Sequence, residues 1–314
     1  MTETKRNAPA PAVAISAVLT LISIAAPVLA QQSAAVPGVD ALKTRIDEAV
    51  AAQSNNPRLK SLSPTDRKGL IEFVAGNMLF VLLHEMGHAV VAELQIPVLG
   101  KDEDAADAFA ATRLIRLQNG FSEQVVAEAA KGWFMSDRRN KKEGDAVPYY
   151  DEHGLDLQRA YQFVCYLVGA DPEKFKALAD ETKLPKDRQA SCKNDYSRAL
   201  NNWDAALSPH RRAPDQPKIQ VDVGYDDGKD KQLEAIAEAF RHVKLLEPVA
   251  ELAADQLAWP TPFRLDMETC GFINAAWAAS THKLTLCYEL AADFGDLYRS
   301  YGLTSKTSKK RKSR

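Results

Sequence analysis

The alternation of hydrophobic and polar positions predicts a mainly helical chain. The clearest helix start is at Ser63 and Pro64, where a serine cap precedes a proline that suits the first helical position. From there the pattern predicts a helix to about Leu94, and residues 73–94 are apolar on nearly all sides. A helix of this kind is typical of the buried centre of a domain. Further helices are predicted over residues 39–52, 102–119, 122–136, 155–169, 173–180, 187–206, 230–257 and 289–301.

Strand patterns are concentrated late in the chain. Residues 263–270 and 273–287 are rich in aromatic and β-branched side chains, and Leu284 and Leu286 flank a threonine in a clear alternation. A shorter alternation covers residues 219–225. We therefore predict a mainly α protein with a small antiparallel β-sheet, which is an α+β fold.

Prolines and charge runs suggest the division of the chain. The predicted organisation is a leader over residues 1–30, a linker and helix over 31–62, a helical core over 63–207, a linker over 208–228, a helix and hairpin packed on the core over 229–303, and a basic, disordered tail over 304–314.

The first thirty residues have the composition of a secretory signal. Lys5 and Arg6 precede an uncharged apolar run that ends in small residues at Ala30, which is the order of regions in export signals. The alternative is a retained membrane anchor, which the short run and the interruption by Pro27 disfavour. We expect cleavage after Ala30, a periplasmic or secreted protein, and no stable membrane span in the mature chain.

Composition and charge argue against one class of partner. The 314-residue chain is 46% hydrophobic and 26% charged, which is typical of a globular protein. The formal net charge is -2, and six of the basic residues lie in the last nine positions, so the predicted folded body is acidic. A nucleic-acid-binding surface is therefore not expected.

Four cysteines follow the leader, and none lies in a Cys-x-x-Cys pair, which argues against a structural zinc site. An even number of cysteines in an exported chain favours disulfides, and four cysteines allow three pairings. We favour the sequence-local pairing, in which Cys165–Cys192 joins two predicted helices and Cys270–Cys287 flanks the predicted hairpin. Each bond closes a loop whose entropy is worth about 3 kcal/mol.

The stretch His84-Glu85-Met86-Gly87-His88 lies inside the predicted central helix. Residues four apart share one helix face, so both imidazoles can bind the same metal ion, and zinc accepts imidazole nitrogen. Glu85 lies between them, where its carboxylate can take a proton from an attacking water and later give it to a leaving amine. Gly87 leaves space for another backbone to pack close to this turn.

A catalytic zinc ion needs a third protein ligand. Glu103 and Asp107 share one face of the next predicted helix, so Glu103 can bind the metal while Asp107 accepts the other N–H of a ligand histidine. Asp104 is the alternative third ligand. Acidic residues at 102–104 also stabilise a helix start without any metal.

His153 lies just before a predicted helix and could donate a hydrogen bond to the oxyanion of a tetrahedral intermediate. The alternative role is a loop histidine that caps the helix. Tyr149 and Tyr150 are weaker candidates for the donor. The remaining histidines have no partners at metal-binding spacing, namely His210, His242 and His282.

The motifs resemble those of gluzincin metallopeptidases, whose signature is His-Glu-x-x-His followed on a second helix by Glu-x-x-x-Asp. Ala110 extends the second element in the form seen in prenyl-protein-type endopeptidases. The chain is most similar to a family of exported bacterial proteins identified by these metallopeptidase motifs, over roughly residues 65–207. The resemblance rests on HEMGHAVVAELQIPVLGKDEDAADAFA, YYDEHGLDLQRAYQFVCYLVGADP and LPKDRQASCKNDY. It implies one catalytic zinc ion and a peptide or protein substrate.

Residues 273–290 resemble the Asn-Ala hairpin and helix that precede the His-Glu-x-x-His helix in several such peptidases, where the strand edge pairs with the substrate backbone. In this chain the hairpin comes afterwards. We therefore predict a permuted, zincin-like order in which the hairpin folds back on the helix of His84, with Trp277 and Leu286 near that residue.

Two other functions compete with peptide hydrolysis. One is a non-catalytic exported binding or scaffold protein that keeps a metallopeptidase-like fold. The other is a zinc hydrolase that acts on a non-peptide amide.

Overall fold

The computed structural model describes residues 37–52, 59 and 61–303. The predicted leader and the basic tail lie outside these residues. The helices are α1 (Pro37–Ala52), α2 (Pro64–Glu93), α3 (Asp102–Arg116), α4 (Gly120–Glu143), α5 (Asp156–Ala170), α6 (Lys176–Glu181), α7 (Lys186–Leu207), α8 (Lys231–Val243), α9 (Glu247–Gln256) and α10 (Tyr288–Leu297). The strands are β1 (Val221–Tyr225), β2 (Phe263–Glu268), β3 (Ala275–Ala278) and β4 (Lys283–Cys287). The predicted α+β class is confirmed.

Helix α2 forms the centre of the fold. The Ser63 hydroxyl accepts a hydrogen bond from the Asp66 N–H at 3.1 Å, and Pro64 occupies the first turn, as the capping pattern predicts. Helices α3, α4 and α10 and strand β3 pack around α2. By length and composition α2 could cross a membrane, but 72% of the apolar stretch is buried inside the protein. Its apolar character is therefore accounted for by packing in the core.

The sheet is mixed, so the prediction of a wholly antiparallel sheet is wrong. The strand order is β1-β2-β4-β3. Strands β1 and β4 both run parallel to β2, and only β3 and β4 pair antiparallel. Helices α8 and α9 provide the long connection that parallel β1 and β2 require. The proposed linker over residues 208–228 contains β1, and its role as a domain boundary stays a prediction.

Two helix predictions are wrong in extent. The sequence predicts a loop over residues 136–148, but α4 continues to Glu143. The charged residues there lie on a helix surface, where Lys141 and Asp137, four positions apart, pair at 2.8 Å. The helix predicted over 230–257 is broken between α8 and α9, where Lys244 has a φ of 54°.

Helix α9 begins after this break and has Pro248 in its first turn. Proline at this position does not disrupt helical hydrogen bonding. The other predicted helices are present within the described residues, with ends that differ by a few positions.

Both disulfides have the predicted pairing. Cys165–Cys192 joins α5 to α7, and Cys270–Cys287 closes a loop that contains β3. Two disulfides are consistent with an exported protein, because such bonds persist in oxidising compartments.

Candidate metal centre

The facing surfaces of α2 and α3 bring together the three predicted metal ligands. The Nε2 atom of His84 lies 3.0 Å from Oε2 of Glu103. The Nε2 atom of His88 lies 3.2 Å from that of His84 and 3.4 Å from the same Glu103 oxygen. The histidines come from successive turns of α2, and Glu103 comes from the first turn of α3.

Gly87 makes this close approach possible. A Cβ atom built on Gly87 would lie 2.9 Å from Cα of Ala106 on α3 and 3.2 Å from its Cβ. Such distances are shorter than normal carbon–carbon contacts. The glycine therefore lets the backbones of the two ligand-bearing helices meet, as the sequence suggests.

Asp107 lies behind His84. Its Oδ1 atom is 2.8 Å from Nδ1 of His84, and the Arg159 guanidinium donates to both carboxylate oxygens at 2.7 Å. All three side chains are buried. Arg159 also stacks over the Trp133 ring at 3.8 Å from its centroid.

The sequence motifs do not identify Arg159 as part of the site. The available signal was a lone cation among the apolar residues of α5, because a buried arginine requires an anionic partner.

Glu85 points from α2 towards the edge strand of the sheet. The backbone N–H of Trp277 on β3 donates to its Oε2 atom at 3.1 Å. Glu85 is only 8% exposed, and burial raises the pKa of its carboxyl group. The predicted contact between the late hairpin and the helix of His84 is therefore present, through the residue next to that histidine.

His153 reaches the same group of side chains from the loop before α5. Its Nε2 atom lies 2.9 Å from Oε2 of Glu103, and its Nδ1 atom lies 3.1 Å from Oδ1 of Asp151. Lys101 fixes the loop by donating to the carbonyl oxygens of Asp151 and His153 at 3.0 and 3.1 Å. Ligand atoms of His84, Glu103 and His153 all lie within 4.8 Å of one another. His153 is thus a third imidazole beside the Glu103 carboxylate, in addition to His84 and His88.

The weaker candidates do not join this group. Tyr149 and Tyr150 are 80% and 93% exposed. The clustered metal-ligating groups found in the described part of the chain include neither Asp104 nor His88, but His88 lies 3.2 Å from His84 and 3.4 Å from Glu103. The second such cluster consists of Cys270, Cys287 and Glu289, and its two cysteines form a disulfide, which removes their thiolates as ligands.

Comparison with known protein families gives a match over most of the chain. The chain matches the family described as "Putative metallopeptidase" over residues 47–207 and 225–314. The chain belongs to this family. No curated protein and no solved structure matches it. Membership extends the resemblance beyond residues 65–207, because the second matched stretch includes the hairpin that contacts Glu85.

The donor set fits the metal ion that a metallopeptidase family implies. Four ligands at zinc bond lengths of 2.0–2.1 Å in a tetrahedron lie about 3.4 Å from one another, close to the observed 3.0, 3.2 and 3.4 Å. Because Asp107 accepts from Nδ1 of His84, the lone pair of neutral His84 is on Nε2 and faces the Glu103 carboxylate. Two such acceptors are stable this close only when a cation lies between them.

The electrostatics of these side chains agree with this requirement. Burial opposes the charge on His84, but hydrogen bonds with Asp107 and Glu103 outweigh it and raise the pKa of the imidazole to about 9. Burial likewise opposes ionisation of Glu103, but hydrogen bonds from His153, His84 and His88 hold its pKa well below the usual range. Both shifts reflect a site that favours positive charge next to the Glu103 carboxylate, which a bound metal ion would supply.

Proposed function

We propose that this protein is a zinc-dependent, gluzincin-like peptidase in which His84, His88 and Glu103 hold one zinc ion. The observation that carries the proposal is the convergence of two imidazole Nε2 atoms and one carboxylate oxygen within 3.0 to 3.4 Å, beside the buried Glu85. When bound, the ion would supply Lewis-acid activation of the attacking water and the scissile carbonyl group.

Glu85 is the general base in this proposal. It takes a proton from the attacking water and delivers it to the leaving amine. Its raised pKa suits the first transfer, because a more basic carboxylate accepts the proton of the water more readily. The hydrogen bond from the Trp277 N–H holds its Oε2 atom in place.

Asp107 and Arg159 orient His84. The Asp107 carboxylate accepts the Nδ1 hydrogen of His84, which leaves Nε2 free to bind metal. Arg159 compensates the buried charge of Asp107 with two hydrogen bonds. The resulting relay fixes both the tautomer and the ring orientation of the ligand.

His153 is the proposed donor to the oxyanion of the tetrahedral intermediate. Asp151 accepts at its Nδ1 atom, so the opposite nitrogen, Nε2, faces the site. Its hydrogen bond with Glu103, opposed by partial burial, raises the pKa of the imidazole, which favours the protonated, donating form.

Strand β3 is the proposed binding edge for a peptide substrate. It lies at the end of the strand order and pairs with β4 on one side, while Trp277 places its backbone beside Glu85. An extended peptide could add to such an edge through main-chain hydrogen bonds. The two disulfides support action outside the cytosol, in the periplasm or after secretion.

A closed, non-catalytic metal site is the second candidate. The approach of His153 to Glu103 supports it, because four protein ligands around zinc leave no open position for water. The two candidates predict different outcomes for the same substitution, His153→Ala. A peptidase keeps its metal and loses activity, whereas a closed site loses a ligand and binds metal more weakly.

The test combines metal analysis with a general peptidase assay on the purified chain. We expect one zinc per wild-type chain and loss of zinc in His84→Ala. Glu85→Gln should keep the zinc and lower kcat by at least about a hundredfold, because a general base contributes on the order of 10² to 10⁴ in rate. A wild-type chain that holds no zinc would refute the proposal, and so would full activity in Glu85→Gln.

A further inference from the structure

Glu93 is an unusual last residue for helix α2. The C-terminal end of a helix carries partial negative charge, so a carboxylate there is electrostatically unfavourable. The Glu93 side chain is also only 10% exposed. Its Oε1 atom lies 3.1 Å from Nδ1 of His282, and this contact offsets both disadvantages.

His282 is an unusual residue for its position in the β3–β4 turn, because of its backbone conformation. It lies at the end of the β3–β4 turn with a φ of 48°, a left-handed conformation that glycine and asparagine adopt more readily than histidine. Its carbonyl oxygen accepts a hydrogen bond at 2.9 Å from the N–H of Arg264 on β2. The backbone of His282 is therefore fixed to the sheet while its side chain reaches helix α2.

The pair provides a second attachment of the hairpin to α2. The first is the hydrogen bond from the Trp277 N–H to Glu85. Glu85 and Glu93 are eight residues apart on one helix, which is about 12 Å along its axis. Strand β3 therefore contacts helix α2 as well as its neighbouring strand β4.

We propose that the Glu93–His282 pair positions strand β3 against helix α2, and so places the Trp277 amide at Glu85. The pair acts at a distance and touches none of the reacting groups. Its importance for catalysis rests on the proposed peptidase function, whereas its effect on the strand does not.

The test compares three substitutions at the pair. Glu93→Ala removes the acceptor, and His282→Asn removes the imidazole while keeping a residue that tolerates positive φ. Glu93→Gln keeps an acceptor oxygen and should largely restore the wild-type behaviour. The matched control is Glu268→Ala, which removes the acceptor of the 2.7 Å pair with Lys283 inside the same sheet.

Two readouts are expected to change. Amide hydrogen exchange at Trp277 should become at least about tenfold faster in Glu93→Ala and in His282→Asn, because the strand separates more often from Glu85. In the peptidase assay kcat should fall about tenfold or more with little change in KM and in zinc content, since small displacements near reacting groups are costly. The double variant should be no worse than either single variant.

Unchanged exchange at Trp277 in both variants would overturn the proposal, and so would an equal effect of Glu268→Ala. If the wild-type protein proves to have no peptidase activity, the exchange measurement still decides the positioning role. Failure of the proposed function and failure of this inference are therefore separate outcomes.

Discussion

At the residue scale, the spacing of the proposed metal ligands depends on Gly87, which is not itself a ligand. Gly87 lies between the two histidines in sequence and faces Ala106 on α3. The distance between the two helices determines how closely Glu103 approaches His84 and His88, and that distance is set by the missing side chain. A change at Gly87 should therefore weaken metal binding without altering any ligand.

We expect Gly87→Ala to lower zinc affinity about tenfold to a hundredfold, the range found when groups that orient ligands are disturbed. Overpacking should also lower the free energy of unfolding by about 1 to 3 kcal/mol. Competition with a chelator measures the affinity. Gly295→Ala is the control, because no atom lies within 4 Å of its new Cβ. Equal zinc affinity in wild type and Gly87→Ala would contradict this explanation.

Residue patterns predict the parts of the site that lie within single helices. His84, Glu85 and His88 could be identified because the helical repeat fixes their relative directions, and the same holds for Glu103 relative to Asp107. Arg159 could not be identified in this way. It meets Asp107 across 52 positions, and local periodicity contains no information about such a contact.

At the element scale, helix α3 must be held in place for Glu103 to reach the histidines. Near its C-terminal end, Arg113 pairs with Asp204 of α7 at 3.0 Å, and Arg116 contacts the same carboxylate. Arg211 approaches it to 3.7 Å. One carboxylate thus joins α3 to α7 and balances several cations.

This arrangement predicts an acid-dependent stability. Burial opposes ionisation of Asp204, but Arg113 and Arg116 outweigh it and lower the pKa of its carboxyl group. A lowered pKa contributes stability above the unfolded value of about 3.9, and this contribution is lost as pH falls through the folded value.

We expect Asp204→Asn to lower the free energy of unfolding at pH 7 by about 2 kcal/mol. The loss should become smaller between pH 4 and pH 2. Denaturant unfolding across this range is the measurement. Asp296→Asn removes an exposed pair with Arg299 and should change stability by less than about 0.5 kcal/mol. A pH-independent effect of Asp204→Asn would contradict the role assigned to the ion pair.

The directions of the strands could not be predicted from the hydrophobic pattern of each strand alone. Alternation identifies β2 and β4 because each buries one face, but it does not indicate which strands are neighbours. The segment between them contains β3, which turns back and pairs on the outer side of β4. Strand β4 thereby regains the direction of β2, and the sheet becomes mixed.

At the scale of the molecule, the site combines two distant parts of the chain. The proposed metal ligands come from α2 and α3, whereas the strand beside Glu85 comes from 192 positions away. The two stretches matched by the family, residues 47–207 and 225–314, correspond to these two parts. All three proposed ligands come from the first part, and the sheet completes the environment of Glu85.

The two disulfides should separate these contributions. Cys165–Cys192 and Cys270–Cys287 span 27 and 17 residues, so removing either should lower the free energy of unfolding by about 3 kcal/mol. We expect both double alanine variants to keep their zinc, because neither bond lies among the ligands. Only Cys270→Ala with Cys287→Ala should also lower kcat in the folded protein, because that bond closes the loop containing β3. Equal losses of kcat in the two variants, at a temperature where both are folded, would contradict this division between a metal-binding helical part and an activity-completing sheet.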